Sequence, residues 1–173
     1  MISRLRELGK ELELSPIHKI LLTTDGSITR ILEAVSGEEV EVVTEKQEVI
    51  SASLEVAADL SIRDGEEVNY RVVNLKNSKG VLAHAVSYAP LHRLKKDFRE
   101  DMMRKDMPIG RIMSELQMEA RREIKSFQAV ESNKRLSTIF GIPEHSTLLK
   151  RQYHIIHGGE TLISITEFFP YKV

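Results

Sequence analysis

Two short segments constrain this chain more than any other feature. Asn77-Ser78-Lys79-Gly80 and His157-Gly158-Gly159-Glu160 each join two stretches in which apolar and polar residues alternate. Alternation with period two marks a half-buried strand, and so short a connection must turn the chain back on itself. Residues 67–76 with 80–89, and 147–157 with 160–169, are therefore expected to form antiparallel hairpins. Alternation also runs through residues 39–49 and 119–130, ahead of each hairpin. The expected class is α+β, a single antiparallel sheet of about six strands with helices on one face.

The helical segments are set by apolar spacing and by stop signals. Ile2, Leu5, Leu8 and Leu12 give an amphipathic helix over residues 2–14, closed by Ser15-Pro16. Ser27 is a natural N-cap for a helix bearing Ile28, Ile31, Leu32 and Val35, which ends at Gly37. Residues 91–118 read as two helices broken at Pro108, and Asn133 to Phe140 as a short helix stopped by Gly141 and Pro143. No internal repeat is evident. The 173 residues suffice for one domain, taken as residues 1–173.

Charge and cysteine content exclude several function classes. Lys plus Arg number 25 against 26 for Asp plus Glu, so no basic excess points to nucleic acid or to a membrane surface, and the expected ligand is small. The flanking acids of Arg121-Arg122 make that pair, like Lys95-Lys96, a solvated face. There is no cysteine, which removes disulfides and thiolate chemistry together. The N-terminus lacks a signal-peptide core and no apolar run is long enough to span a bilayer, which leads to the expectation of a cytoplasmic protein. His154 and His157 lie three apart on a strand and so face opposite ways; no metal site is expected, and Gly158-Gly159 lies between strands, outside a phosphate-binding context.

Two charged residues stand out against the apolar pattern. In Ile163-Ser164-Ile165-Thr166-Glu167-Phe168-Phe169-Pro170, parity puts Glu167 on the face of Ile163, Ile165 and Phe169. Either that strand end is open to water, or the carboxylate is buried and must be paired or protonated. If held there for binding, it should be neutralised at little cost in stability. Arg71 lies within Val68-Asn69-Tyr70-Arg71-Val72-Val73, where both parities are apolar. It either snorkels to water from an edge strand or offers a fork to a carboxylate.

Four segments together resemble the chorismate lyase (chorismate pyruvate-lyase) family over residues from about 18 to 170. They are Leu21-Leu22 with Asp25-Gly26-Ser27-Ile28-Thr29-Arg30, Tyr70-Arg71-Val72-Val73, Met107-Pro108-Ile109-Gly110-Arg111 and Thr166-Glu167-Phe168-Phe169-Pro170, in the family's order. The resemblance implies elimination of pyruvate from chorismate to give 4-hydroxybenzoate, without metal or organic cofactor. It implies that Arg71 binds the ring carboxylate and Glu167 contacts the ring hydroxyl. Backbone N–H groups at Ile28 and Ile109 would help hold that carboxylate. Arg151 is a candidate for the side-chain carboxylate. The family's usual form implies a monomer.

Asn133 through Ile142-Pro143-Glu144 to Phe168-Phe169-Pro170 also resembles the effector-binding domain of GntR-type regulators, which shares this fold. That alternative is a non-catalytic small-molecule binder. Such regulators carry a basic helix-turn-helix ahead of the sheet, whereas here strand-like alternation begins near residue 39.

Overall fold

The computed structural model describes residues 1–104 and 107–171. Six strands are present: β1 (Glu41–Ser51), β2 (Glu67–Asn77), β3 (Gly80–Pro90), β4 (Arg121–Glu131), β5 (Thr147–His157) and β6 (Glu160–Pro170). They form one antiparallel sheet in the order β1-β2-β3-β6-β5-β4. The hairpins β2–β3 and β5–β6 close at the two expected turns, with Gly80, Gly158 and Gly159 at positive φ.

The helices are α1 (Ile2–Glu11), α2 (Pro16–Thr23), α3 (Ile28–Ser36), α4 (Leu54–Leu60), α5 (Lys96–Arg104), α6 (Ile109–Glu115) and α7 (Lys134–Phe140). Ser15-Pro16, expected to close a first helix, instead opens α2: Ser15 and His18 cap each other and Pro16 occupies the first turn, where its missing N–H costs nothing. Helix α4, absent from the sequence reading, is capped by Ser53 and left through Ser61 in the left-handed region. The break at Pro108 and the cap at Ser27 are as expected, and Asn133, expected as the first residue of its helix, caps α7 instead. No helix among the described residues is long and apolar enough to cross a membrane.

An internal repeat, not evident from the sequence, organises these elements. β1, α4, β2 and β3 recur 80 residues later as β4, α7, β5 and β6, with the same lengths and with bulges at matching places, Thr44/Lys46 with Ile124/Ser126 and Leu75/Lys76 with Ile155/Ile156. The helix before each unit matches too: Ser27-Ile28-Thr29-Arg30-Ile31 opens α3 as Pro108-Ile109-Gly110-Arg111-Ile112 opens α6. The halves meet where β3 pairs with β6, from His84↔Phe168 to Tyr88↔Ser164. Side-chain identity has diverged almost everywhere, and geometry has not.

One face of the sheet carries the main helical layer. Leu21, Leu22, Ile28 and Leu32 pack with Val42, Leu75, Leu149 and Phe169, while Phe98, Met102 and Ile112 from α5 and α6 pack with Ile155, Ile163 and Ile165. The opposite face is covered by the short helices α4 and α7, with Leu60 against Val68 and Asp59 bonded to His154 and Gln152. Phe98 is 1% exposed, so Phe98→Ala should destabilise by about 3–5 kcal/mol, read from the urea midpoint.

His84 lies on that second face, 2% exposed, with Nδ1 2.7 Å from Asn74 Oδ1. Burial holds its pKa below the ordinary 6.5, Glu45 opposing and Arg135 adding to the shift. A histidine depressed in the folded state binds fewer protons than in the unfolded chain, so stability should fall as pH drops below about 6.5. His84→Gln should flatten that acid limb in thermal midpoints measured between about pH 6.5 and 5.

Candidate active site

Two rows of side chains cross the helix-covered face at its centre. Register places Val73, Ala85, Glu167 and Arg151 in one row and Arg71, Ser87, Ile165 and Tyr153 in the next. Arg71 is 1% exposed on an interior strand, which rules out an edge arginine reaching to water. Its Nη2 donates to Met107 O at 3.1 Å and to Thr44 Oγ1 at 3.4 Å. The guanidinium thus abuts the chain leading into α6.

Glu167 is 5% exposed, so the open strand end is also ruled out and the carboxylate is paired. Arg151 Nε donates to Oε2 at 2.6 Å and Tyr153 Oη donates to Oε1 at 3.1 Å. Arg151 is itself fully buried: Nη1 donates to Thr24 O at 2.9 Å and its Cζ sits 4.7 Å from the centre of the Tyr153 ring. Burial pushes the Tyr153 phenol well above its ordinary pKa, and the neighbouring Glu167 charge adds to this, so it stays a neutral donor. The pairing overturns the expectation that Glu167 could be neutralised cheaply, because a neutral residue there would leave a buried guanidinium without its counter-charge.

A cavity of about 70 Å³ lies between these groups. Arg71, Ser87, Tyr153 and Glu167 line it from the sheet, with Val42, Val73, Leu75, Ala85, Ile155 and Ile165 supplying apolar walls. Its roof is the N-terminal turn of α3, Ser27, Ile28 and Thr29, and that of α6, Pro108, Ile109 and Gly110. Helix N-termini present N–H groups that the helix itself does not use, so both ends can add donors to the roof of the cavity. Arg151 does not line the cavity and stands behind Glu167.

The cavity shares Ser27, Thr29, Val42, Pro108, Gly110 and Arg122 with an open groove of about 870 Å³ that also bears Arg30, Glu33, Arg111 and Glu115. Arg122, taken from the sequence as a solvated residue, guards this junction. Its Nη1 donates to Asp25 O at 3.0 Å, and its buried Nε has no hydrogen-bond partner among the described residues. A Cβ at Gly110 would sit 3.0 Å from Nη2 of Arg122, so the first turn of α6 and the end of that arginine lie close together. Of the sequence candidates, Arg71, Glu167, Ile28 and Ile109 converge on one cavity. Ser87, Tyr153 and Arg122 join them, and only strand register would have found these three.

Among the described residues no three His, Cys, Asp or Glu side chains gather as a metal-ligand group. His154 pairs with Asp59 and His157 with Glu119 O, on separate partners.

The fold is shared with known proteins. PhnF from Mycobacterium smegmatis superposes with a TM-score of 0.73 at 11% identity, covering 96% of this chain and 85% of that one. The ligand-binding domain of a GntR-family transcriptional regulator from Bordetella bronchiseptica gives 0.66 at 18% identity, covering 77% and 86%. At such identities the likeness is one of fold. In sequence, a candidate lyase of Methanocaldococcus jannaschii, MJ0807, is 34% identical over 171 residues, 96% of this chain and 84% of that protein. Residues 22–173 match the family described as Chorismate pyruvate-lyase Rv2949c-like. An apolar cavity with an arginine at one end and a carboxylate at the other, on this sheet and with that match across nearly the whole sequence, makes the chain a member of the Rv2949c-like chorismate pyruvate-lyase family.

Proposed function

We propose that this protein is a chorismate pyruvate-lyase, converting chorismate to 4-hydroxybenzoate and pyruvate. The observation that carries the reading is the make-up of the cavity: Arg71 on one strand and Glu167 on another line it from the sheet, two helix N-termini roof it, and the remaining walls are aliphatic. β2 and β6 lie two strand spacings apart, about 10 Å, a span suited to a six-membered ring with an acid at one end and a hydroxyl at the other.

The reaction breaks the C3–O ether bond and removes the C4 proton. The electrons complete an aromatic ring, and the enolpyruvyl group leaves, to be released after protonation as pyruvate. Aromatisation supplies the driving force, so the protein's contribution is orientation and charge placement in a dry site. Arg71 with the N–H groups of Ile28 and Ile109 would fix the ring carboxylate. Glu167, held as an acceptor by Arg151 and Tyr153, would receive the C4 hydroxyl and orient the proton that leaves. Arg122, at the junction of cavity and groove, is better placed than Arg151 for the carboxylate of the departing group. This chemistry calls on no metal or organic cofactor.

Incubation with chorismate should release 4-hydroxybenzoate and pyruvate in equal amounts, unaffected by a chelator; dependence on a divalent ion would count against the reading. Arg71→Ala should lose about 2–4 kcal/mol of transition-state stabilisation, roughly 30- to 1,000-fold in kcat/KM. Glu167→Gln should lower turnover by about 100-fold or more and, unlike a surface change, also lower the thermal midpoint, since it leaves Arg151 buried beside a neutral amide.

The shared fold favours a second reading, a binder without catalysis. A binder would be stabilised by 4-hydroxybenzoate and yield no pyruvate.

A further inference from the structure

The carboxylate of Glu167 is held from one side of its strand. Both donors, Arg151 Nε and Tyr153 Oη, stand on β5. The other neighbour of β6 is β3, and there the direct register partner of Glu167 is Ala85, which is buried and lines the cavity. Directly opposed residues of an antiparallel pair hold their Cβ atoms about 5 Å apart, so the side chain at position 85 is the wall beside Glu167 on the β3 side.

The next cavity-lining pair along the seam is Ser87 with Ile165. In both pairs the small residue is on β3 and the large one on β6, so the floor of the cavity is stepped, low along β3 and high along β6. Ala85 and Ile165 are 80 residues apart and hold equivalent places in the two halves. A residue as large as Ile165 at position 85 would bury more apolar surface, so the low step leaves stabilisation unused. We propose that Ala85 is the specificity-determining residue of the cavity: its methyl leaves, beside Glu167, the room that a substituent on the ring carbon next to the hydroxyl requires. The inference rests on the reading that Glu167 receives the ring hydroxyl and is independent of what Arg71 binds. In chorismate the carbon next to the hydroxyl-bearing C4 is C3, which carries the ether to be broken. In 4-hydroxybenzoate the same carbon bears only hydrogen. Filling the step should therefore exclude substrate more strongly than product.

The test titrates 4-hydroxybenzoate and 4-hydroxy-3-methylbenzoate into the wild type and into Ala85→Val. The wild type should bind both with affinities within about threefold, whereas Ala85→Val should keep that affinity for 4-hydroxybenzoate and weaken the methylated ligand by about tenfold or more. Its kcat/KM for chorismate should fall in step with the methylated ligand. Equal weakening of the two ligands, as packing against Glu167 alone would give, overturns the inference while leaving the reading of Glu167 intact. So does a wild type that already excludes the methylated ligand. Wild-type affinity for 4-hydroxybenzoate in Glu167→Gln overturns the reading itself. Should Ala85→Val fail to fold, Ala85→Gly decides, since it deepens the step. Its affinity for 3-ethyl-4-hydroxybenzoate relative to 4-hydroxybenzoate should rise by about threefold or more over the wild type, and an unchanged ratio overturns the inference.

Discussion

The ion pair between Arg151 and Glu167 is the interaction on which the centre of this molecule depends. Both charges are removed from water, which costs several kcal/mol per ion unless geometry and further hydrogen bonds compensate. Compensation comes from three sides: Thr24 O accepts from Nη1, the Tyr153 ring stacks on the guanidinium, and the Tyr153 hydroxyl donates to the free carboxylate oxygen. One nitrogen, Nη2, still lacks a partner among the described residues. The pair also draws the segment before α3 down onto the sheet, and that segment leads into one of the two helix ends roofing the cavity. Electrostatic satisfaction at the core and placement of the roof are thus parts of one network.

Around this pair the chain has built an almost symmetric frame with unsymmetric contents. Matching strands, bulges and helix starts fix where side chains can stand, and substitutions decide what each position does. Where the second half has Glu167, Tyr153 and His154, the first has Ser87, Val73 and Asn74. Repetition gives two buried arginines at equivalent places, and divergence leaves one of them lining the cavity and the other holding Glu167 from behind.

Much of the fold was legible because its signals are local. The glycine turns after β2 and β5 dictate hairpins, and parity along 163–169 put Glu167 on the buried face. A cap was legible where a serine preceded an apolar run, as at Ser27. One was misread at Ser15-Pro16, where a proline that starts a helix looks the same as one that stops it. The repeat was invisible to residue identity because it survives in lengths and bulges. Arg122 was misjudged for a related reason: its neighbours Arg121 and Glu123 are exposed partners in an ion pair, while its own side chain turns inward to Asp25. Resemblance named Arg71 and Glu167, yet the role of Arg151 could be seen only across strands.

The seam between β3 and β6, half as long as either hairpin, separates the two ends of the cavity, since Arg71 belongs to the first half and Glu167 to the second. A molecule bridging them would act as a mortar joint, adding cohesion where backbone hydrogen bonding is thinnest. Its affinity would then be linked to how firmly the two repeats are joined, and a change that loosens the seam without touching the cavity walls would register as weaker binding.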